Sequence, residues 1–137
     1  RLDLQEFILG NRKTAKADDE LVTGLLIPKP SANAFGAFEK LGARKYLVIS
    51  IVMTGVVAEW NEDQRIGKIR IAVGSCSDKS IRLEKLEKEC EGKQMDQIRI
   101  RTEHLENLSP IDDIRAKADF RLDVVSELIL RAVRQTS

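Results

Sequence analysis

Cysteine and histidine are scarce in this chain: Cys76, Cys90 and the single His104 are all that 137 residues contain. The cysteines have no CxxC spacing, so the usual zinc ligands cannot be assembled from them. We read both as buried, reduced thiols, which suits a cytoplasmic protein. An excess of either charge is also lacking. Lys plus Arg (23) nearly balances Asp plus Glu (22), and a formal charge of +1 provides no overall field to recruit nucleic acid or a membrane surface. Trp60 and the four phenylalanines are not interleaved with basic residues, which removes the stacking platform of single-strand binders. The longest apolar run is interrupted by Ser50, Thr54 and Glu59 and is too short to span a bilayer, and no charged-then-apolar leader opens the chain. The eight glycines are scattered without a GxGxxG or GxxxxGK pattern, so no self-contained nucleotide site is present.

What remains is 42% hydrophobic residues, enough for one core, and we read residues 1–137 as a single domain. The start at Arg1, without Met, suggests a piece of a longer or processed protein. Ala34 to Val57 organises the rest: an aromatic strand at 35–40, a basic elbow of Lys40, Arg44 and Lys45, and a strand at 47–60 apolar on both alternating sets. Asn61 to Gln64 reads as a turn, and Ile69, Ile71 and Val73 alternate with Lys68 and Arg70, predicting a hairpin with one wet face. An earlier strand is predicted over Glu20 to Ile27, ended by Pro28 and Pro30. Leu4 to Leu9 makes one amphipathic turn stopped by Gly10.

Helices are predicted in the second half. Leu83, Leu86 and Cys90 share a stripe behind a Ser80 cap, with Gly92 as the terminating residue. Met95, Ile98, Thr102 and Leu105 share another, which Ile100 interrupts. Ser109, Pro110, Asp112 and Asp113 form a helix start signal, and after a break near Lys117 a stripe of Ala118, Leu122, Val125, Ile129 and Val133 recurs at helical spacing to the end. Together these predict an α+β fold: a small antiparallel sheet of three to four strands with about three helices on one face. His104, flanked by Glu103 and Glu106, reads as part of a solvated helix face, and Asp112 and Asp113 as capping groups.

Four segments in order, EFILGNRKT (6–14), DELVTGLLIP (19–28), AFEKLGARK (37–45) and PIDDIRAKADFR (110–121), resemble the C-terminal domain of the FAD-binding, or medium, subunit of xanthine dehydrogenase and carbon monoxide dehydrogenase type molybdenum hydroxylases. The resemblance implies a cytoplasmic oxidoreductase context. Electrons would pass from a molybdopterin-binding subunit through iron–sulfur clusters on a second partner to FAD. It also implies cofactor-binding roles for Lys13, Glu20, Val22 and Lys40. Lys40 would approach the isoalloxazine rim, Lys13 the cofactor, and Val22 would border the ring with its backbone. The larger FAD-binding part with its pyrophosphate loops is not in this sequence, so the isolated chain is expected to be inactive and not to retain FAD. A stand-alone interaction or dimerisation domain of the same fold is the alternative, and a homo-oligomer is possible in either case.

Overall fold

Strand-forming residues with a period of two meet a chain long enough for two hairpins, and the result is an antiparallel meander. The structure is a computed structural model that describes residues 1–46 and 48–137. Its main sheet has the order β3–β4–β5–β6, formed by Ala34–Gly42, Ser50–Trp60, Ile66–Gly74 and Ile81–Arg82. Val56 lies opposite Ile71 and Thr54 opposite Val73, so the inward sets of β4 and β5 stack on one face. Ile66, Ile69, Ile71, Val52 and Val56 are almost wholly buried there. Each large aliphatic side chain so removed from water contributes roughly 1.5–3 kcal/mol.

The helices cover that same face. α4 (Ala118–Arg134) lies over β3 and β4 and buries Val125, Leu128, Ile129, Ala132 and Val133; α2 (Glu84–Cys90) lies over β5. Gly92 adopts φ +75° just beyond α2, a conformation that costs glycine nothing. Trp60 Nε1 donates to Thr136 Oγ1 at 3.3 Å, tying the end of β4 to the end of α4. No helix among the described residues is long and apolar enough to cross a membrane. The predicted architecture of a helix-backed antiparallel sheet is what the chain adopts.

Several local expectations differ. The first strands form a separate two-stranded hairpin, β1 (Ile8–Gly10) with β2 (Lys13–Thr14), behind the single turn α1 (Leu4–Phe7). Glu20 to Ile27 is not a strand, because among the described residues no edge pairs with it. β4 begins at Ser50, later than expected, and Leu47 lies outside the described residues. β4 is covered on one face and only in part on the other: Ile51 is buried, whereas Val57 is 43% exposed. The Met95 to Leu105 stripe is split into a 3-10 turn (Met95–Gln97) and a short helix α3 (Thr102–Leu105). α2 starts at Glu84, so Ser80 is not its cap. The Ser109-Pro110 signal does not start α4 either; Asp112 Oδ1 accepts the Ala118 N–H at 2.7 Å across an irregular segment, capping the helix six residues later.

Candidate functional site

The face of the main sheet away from the helices keeps apolar surface uncovered, and strand register fixes what is on it. Phe38 pairs with Gly55, Gly55 with Ala72 and Ala72 with Arg82, making one row across all four strands. On one side runs the row Gly36–Val57–Arg70 and on the other Lys40–Met53–Gly74. Gly36, Gly55 and Ala72 keep the floor low, whereas Phe38 stands 60% exposed at the rim. They leave an open furrow of about 490 Å³. Among the described residues a Cβ placed on Gly55 would meet nothing within 4 Å, so their packing does not demand glycine there.

Cations border the furrow. Arg82 donates through Nε to Glu87 Oε1 at 3.0 Å, and Arg70 NH1 lies 3.8 Å from Glu87 Oε2. Glu87 is buried and also accepts the Ile71 N–H at 2.9 Å, so this carboxylate holds the sheet edge and both guanidiniums. Glu84 is a second anion acting on Arg82, so this end is an ion-pair cluster. In the outer row Lys40 donates from Nζ to Val48 O at 2.8 Å, which steadies its otherwise exposed side chain. At the elbow Lys45 lies 5.3 Å from the centre of the Tyr46 ring.

The other sequence-predicted positions sit on the N-terminal segment. Lys13 is an exposed residue of β2, Glu20 accepts the Ala17 N–H through Oε2 at 2.8 Å, and Val22 is 51% exposed. Among the described residues no hydrogen bond or ion pair joins Lys40 to Lys13 or Glu20. Lys79 anchors the start of this segment by donating to Gln5 O and Ile8 O, both at 2.9 Å.

His104 is buried, contrary to the expectation of a solvated face. Its Nδ1 accepts the Arg101 N–H at 3.0 Å, which leaves the proton on Nε2, 2.8 Å from Glu89 Oε2. The salt bridge of Lys93 to Glu89 (2.8 Å) and that of Arg101 to Glu89 (2.5 Å) complete the group. The Lys93, Arg101 and His104 hydrogen bonds draw the Glu89 pKa down to about 2. With both carboxylate oxygens engaged, this is an ion-pair clasp between α2 and α3. The furrow row Phe38–Gly55–Ala72 was the feature sequence reasoning missed; its signal was small residues at facing positions of otherwise bulky strands.

The CO dehydrogenase flavoprotein C-terminal domain family matches residues 37–136. The chain belongs to this family. The medium subunit of nicotine 6-hydroxylase from Paenarthrobacter nicotinovorans is 29% identical over 136 residues, which are 96% of this chain and 46% of the relative. CO dehydrogenase from Oligotropha carboxidovorans superposes with a TM-score of 0.82 at 22% identity, covering 96% of this chain and 46% of the other. CO dehydrogenase from Hydrogenophaga pseudoflava gives 0.79 at 23% identity, over 95% and 46%. The chain thus spans about half the length of the relatives it matches. For a flavoprotein family the furrow has suitable chemistry: a flat apolar floor admits a planar ring, and Lys40 supplies a cation in the next row. The sequence has no glycine-rich loop for the phosphates.

Proposed function

We propose that this chain is the C-terminal part of the FAD-binding subunit of a xanthine dehydrogenase-like molybdenum hydroxylase, and that it forms one wall of the flavin site. The family match over residues 37–136 carries this reading. Bound FAD would supply the electron acceptor for a relay fed by iron–sulfur clusters on one partner subunit and by a molybdopterin-binding subunit beyond them, in the cytoplasm. This chain's own residues would do simpler things. The furrow floor at Gly36, Gly55 and Ala72 would exclude water from one side of a planar ring. Lys40 would favour negative charge on the ring's carbonyl side. Lys13, Glu20 and the backbone of Val22 would border the cofactor from the N-terminal segment.

Because the pyrophosphate must be gripped elsewhere, the isolated chain is proposed to bind no FAD and to be inactive. Absorbance spectra of this chain and of the full-length subunit, purified alongside each other, test the reading. Stoichiometric flavin in the longer protein and none in the shorter is the expected result; a colourless full-length subunit, with no flavin released on denaturation, would refute it.

A further inference from the structure

The hairpin that carries Lys13 is too small to hold itself in place. β1 has three residues and β2 two, they form a sheet of their own, and an isolated two-stranded hairpin is marginal in water. The loop after β5 fastens it. Lys79 Nζ donates to Gln5 O and Ile8 O, both at 2.9 Å. These carbonyls lie in and just after the four-residue turn α1, whose last acceptors have no partner within so short a helix, and a charged donor satisfies them best. Setting Arg44 aside, no other hydrogen bond among the described residues joins residues 1–30 to the sheet and helices that follow. The loop is itself fixed to the body, since Ser75 O accepts from Arg121 at 3.1 Å and Cys76 O accepts the Ser109 N–H at 2.9 Å.

Register carries this hold to Lys13. Ile8 pairs with Thr14 and Gly10 with Lys13. Ile8 is the residue that Lys79 holds, and Gly10 lies against Asp78: a Cβ built on it would stand 3.1 Å from Asp78 Oδ2. Both partners of the Lys13–Thr14 strand are thus held by consecutive residues of one loop. Between the strands lie only Asn11 and Arg12, the latter at φ +56°, so Lys13 cannot shift without moving β1. We infer that Lys79 is a positioning residue: it clamps the β1–β2 hairpin to the loop after β5 and so sets where Lys13 stands. The inference rests on the flavin-site reading for what Lys13 meets. Lys79 acts through Ile8 and its strand partner, not by touching the cofactor itself.

Hydrogen exchange over residues 6–15 and the flavin reduction potential, both measured on the full-length flavin-loaded subunit, test this in Lys79→Met, Lys79→Arg, Lys13→Met and the Lys13→Met, Lys79→Met double variant. Lys79→Met is expected to speed exchange of the hairpin amides about tenfold while β3–β5 exchange stays unchanged. Its potential should move to a more negative value, as in Lys13→Met, and the double variant should move no further than Lys13→Met alone. Lys79→Arg keeps a charged donor and should restore both readouts. Unchanged hairpin exchange in Lys79→Met would overturn the inference. So would a potential shift that adds in full to that of Lys13→Met, because Lys79 would then act by its own charge. If Lys13→Met leaves the potential unaltered while Lys79→Met still loosens the hairpin, the clamp stands and the flavin role of Lys13 alone is refuted.

Discussion

Phe38 stands opposite Gly55 in the β3–β4 ladder, so an exposed aromatic residue faces a position with no side chain. Among the described residues nothing lies within 4 Å of a Cβ built on Gly55. A β-branched residue there should therefore be tolerated by the sheet, and by strand propensity it should stabilise the fold by up to about 1 kcal/mol. In the full-length subunit, Gly55→Val is expected to leave the melting temperature equal or higher while flavin content falls. A variant that melts lower and keeps its flavin would show that Gly55 serves the sheet and not the furrow.

Arg121 holds together the irregular segment before α4. It is buried and donates to Ile51 O at 2.5 Å, to Ser75 O at 3.1 Å and to Asp113 Oδ1 at 2.7 Å. The Arg115 backbone N–H, followed by the Arg115 side chain, the Ala116 N–H and Arg121, holds the Asp113 carboxyl well below the usual range. A carboxyl lowered in the folded state adds stability that is complete above its unfolded value near 4 and is lost as pH falls toward its folded value. Asp113→Asn should thus lower the melting temperature at pH 7 and leave a shallower loss of stability below pH 4. Parallel acid-unfolding curves for the two proteins would count against this role.

Both cysteines are buried, and burial pushes each thiol up to about 11. Thiolate is the reactive form, so neither should react with a thiol reagent at pH 8 until the chain unfolds. Fast modification of one equivalent in the native protein would mean that its helix layer opens locally.

Ile129 has no exposed surface and lies within the stripe of α4 that packs on the sheet. Ile129→Ala is expected to destabilise the chain by about 2–5 kcal/mol in urea unfolding, through lost transfer energy and the cavity left behind. A loss below 1 kcal/mol would indicate that α4 can repack, and that the sheet does not depend on it.

The strands were legible where one face is wet. Lys68 and Arg70 between Ile69, Ile71 and Val73 fixed both the element and its buried side. β4 was legible as a strand but not in its exposure, because its second apolar set, from buried Ile51 to exposed Val57, is only partly covered by the described residues. The same limit applies to Leu21–Ile27, where side chains suited to burial lack their cover. Polar residues misled more often. Asp112 caps a helix as read, but one that starts six residues further on, and Asp113 fastens the loop between by taking Arg121. His104 looked solvated beside Glu103, but its ring turns inward to Arg101 N–H and Glu89, contacts that depend on α2 being adjacent. Of the proposed site, Lys40 at the strand elbow was readable; the furrow beside it depends on cross-strand register, which the linear pattern does not specify.

The reduction potential of the flavin in full-length Lys40→Met, measured beside the unaltered subunit, tests the proposed site most directly. Removing a cation that favours negative charge on the reduced ring should move the potential to a more negative value. We expect about 30 mV, which corresponds to about 1.4 kcal/mol for a two-electron couple, or else outright loss of flavin. An unchanged potential with full flavin occupancy would place Lys40 away from the ring.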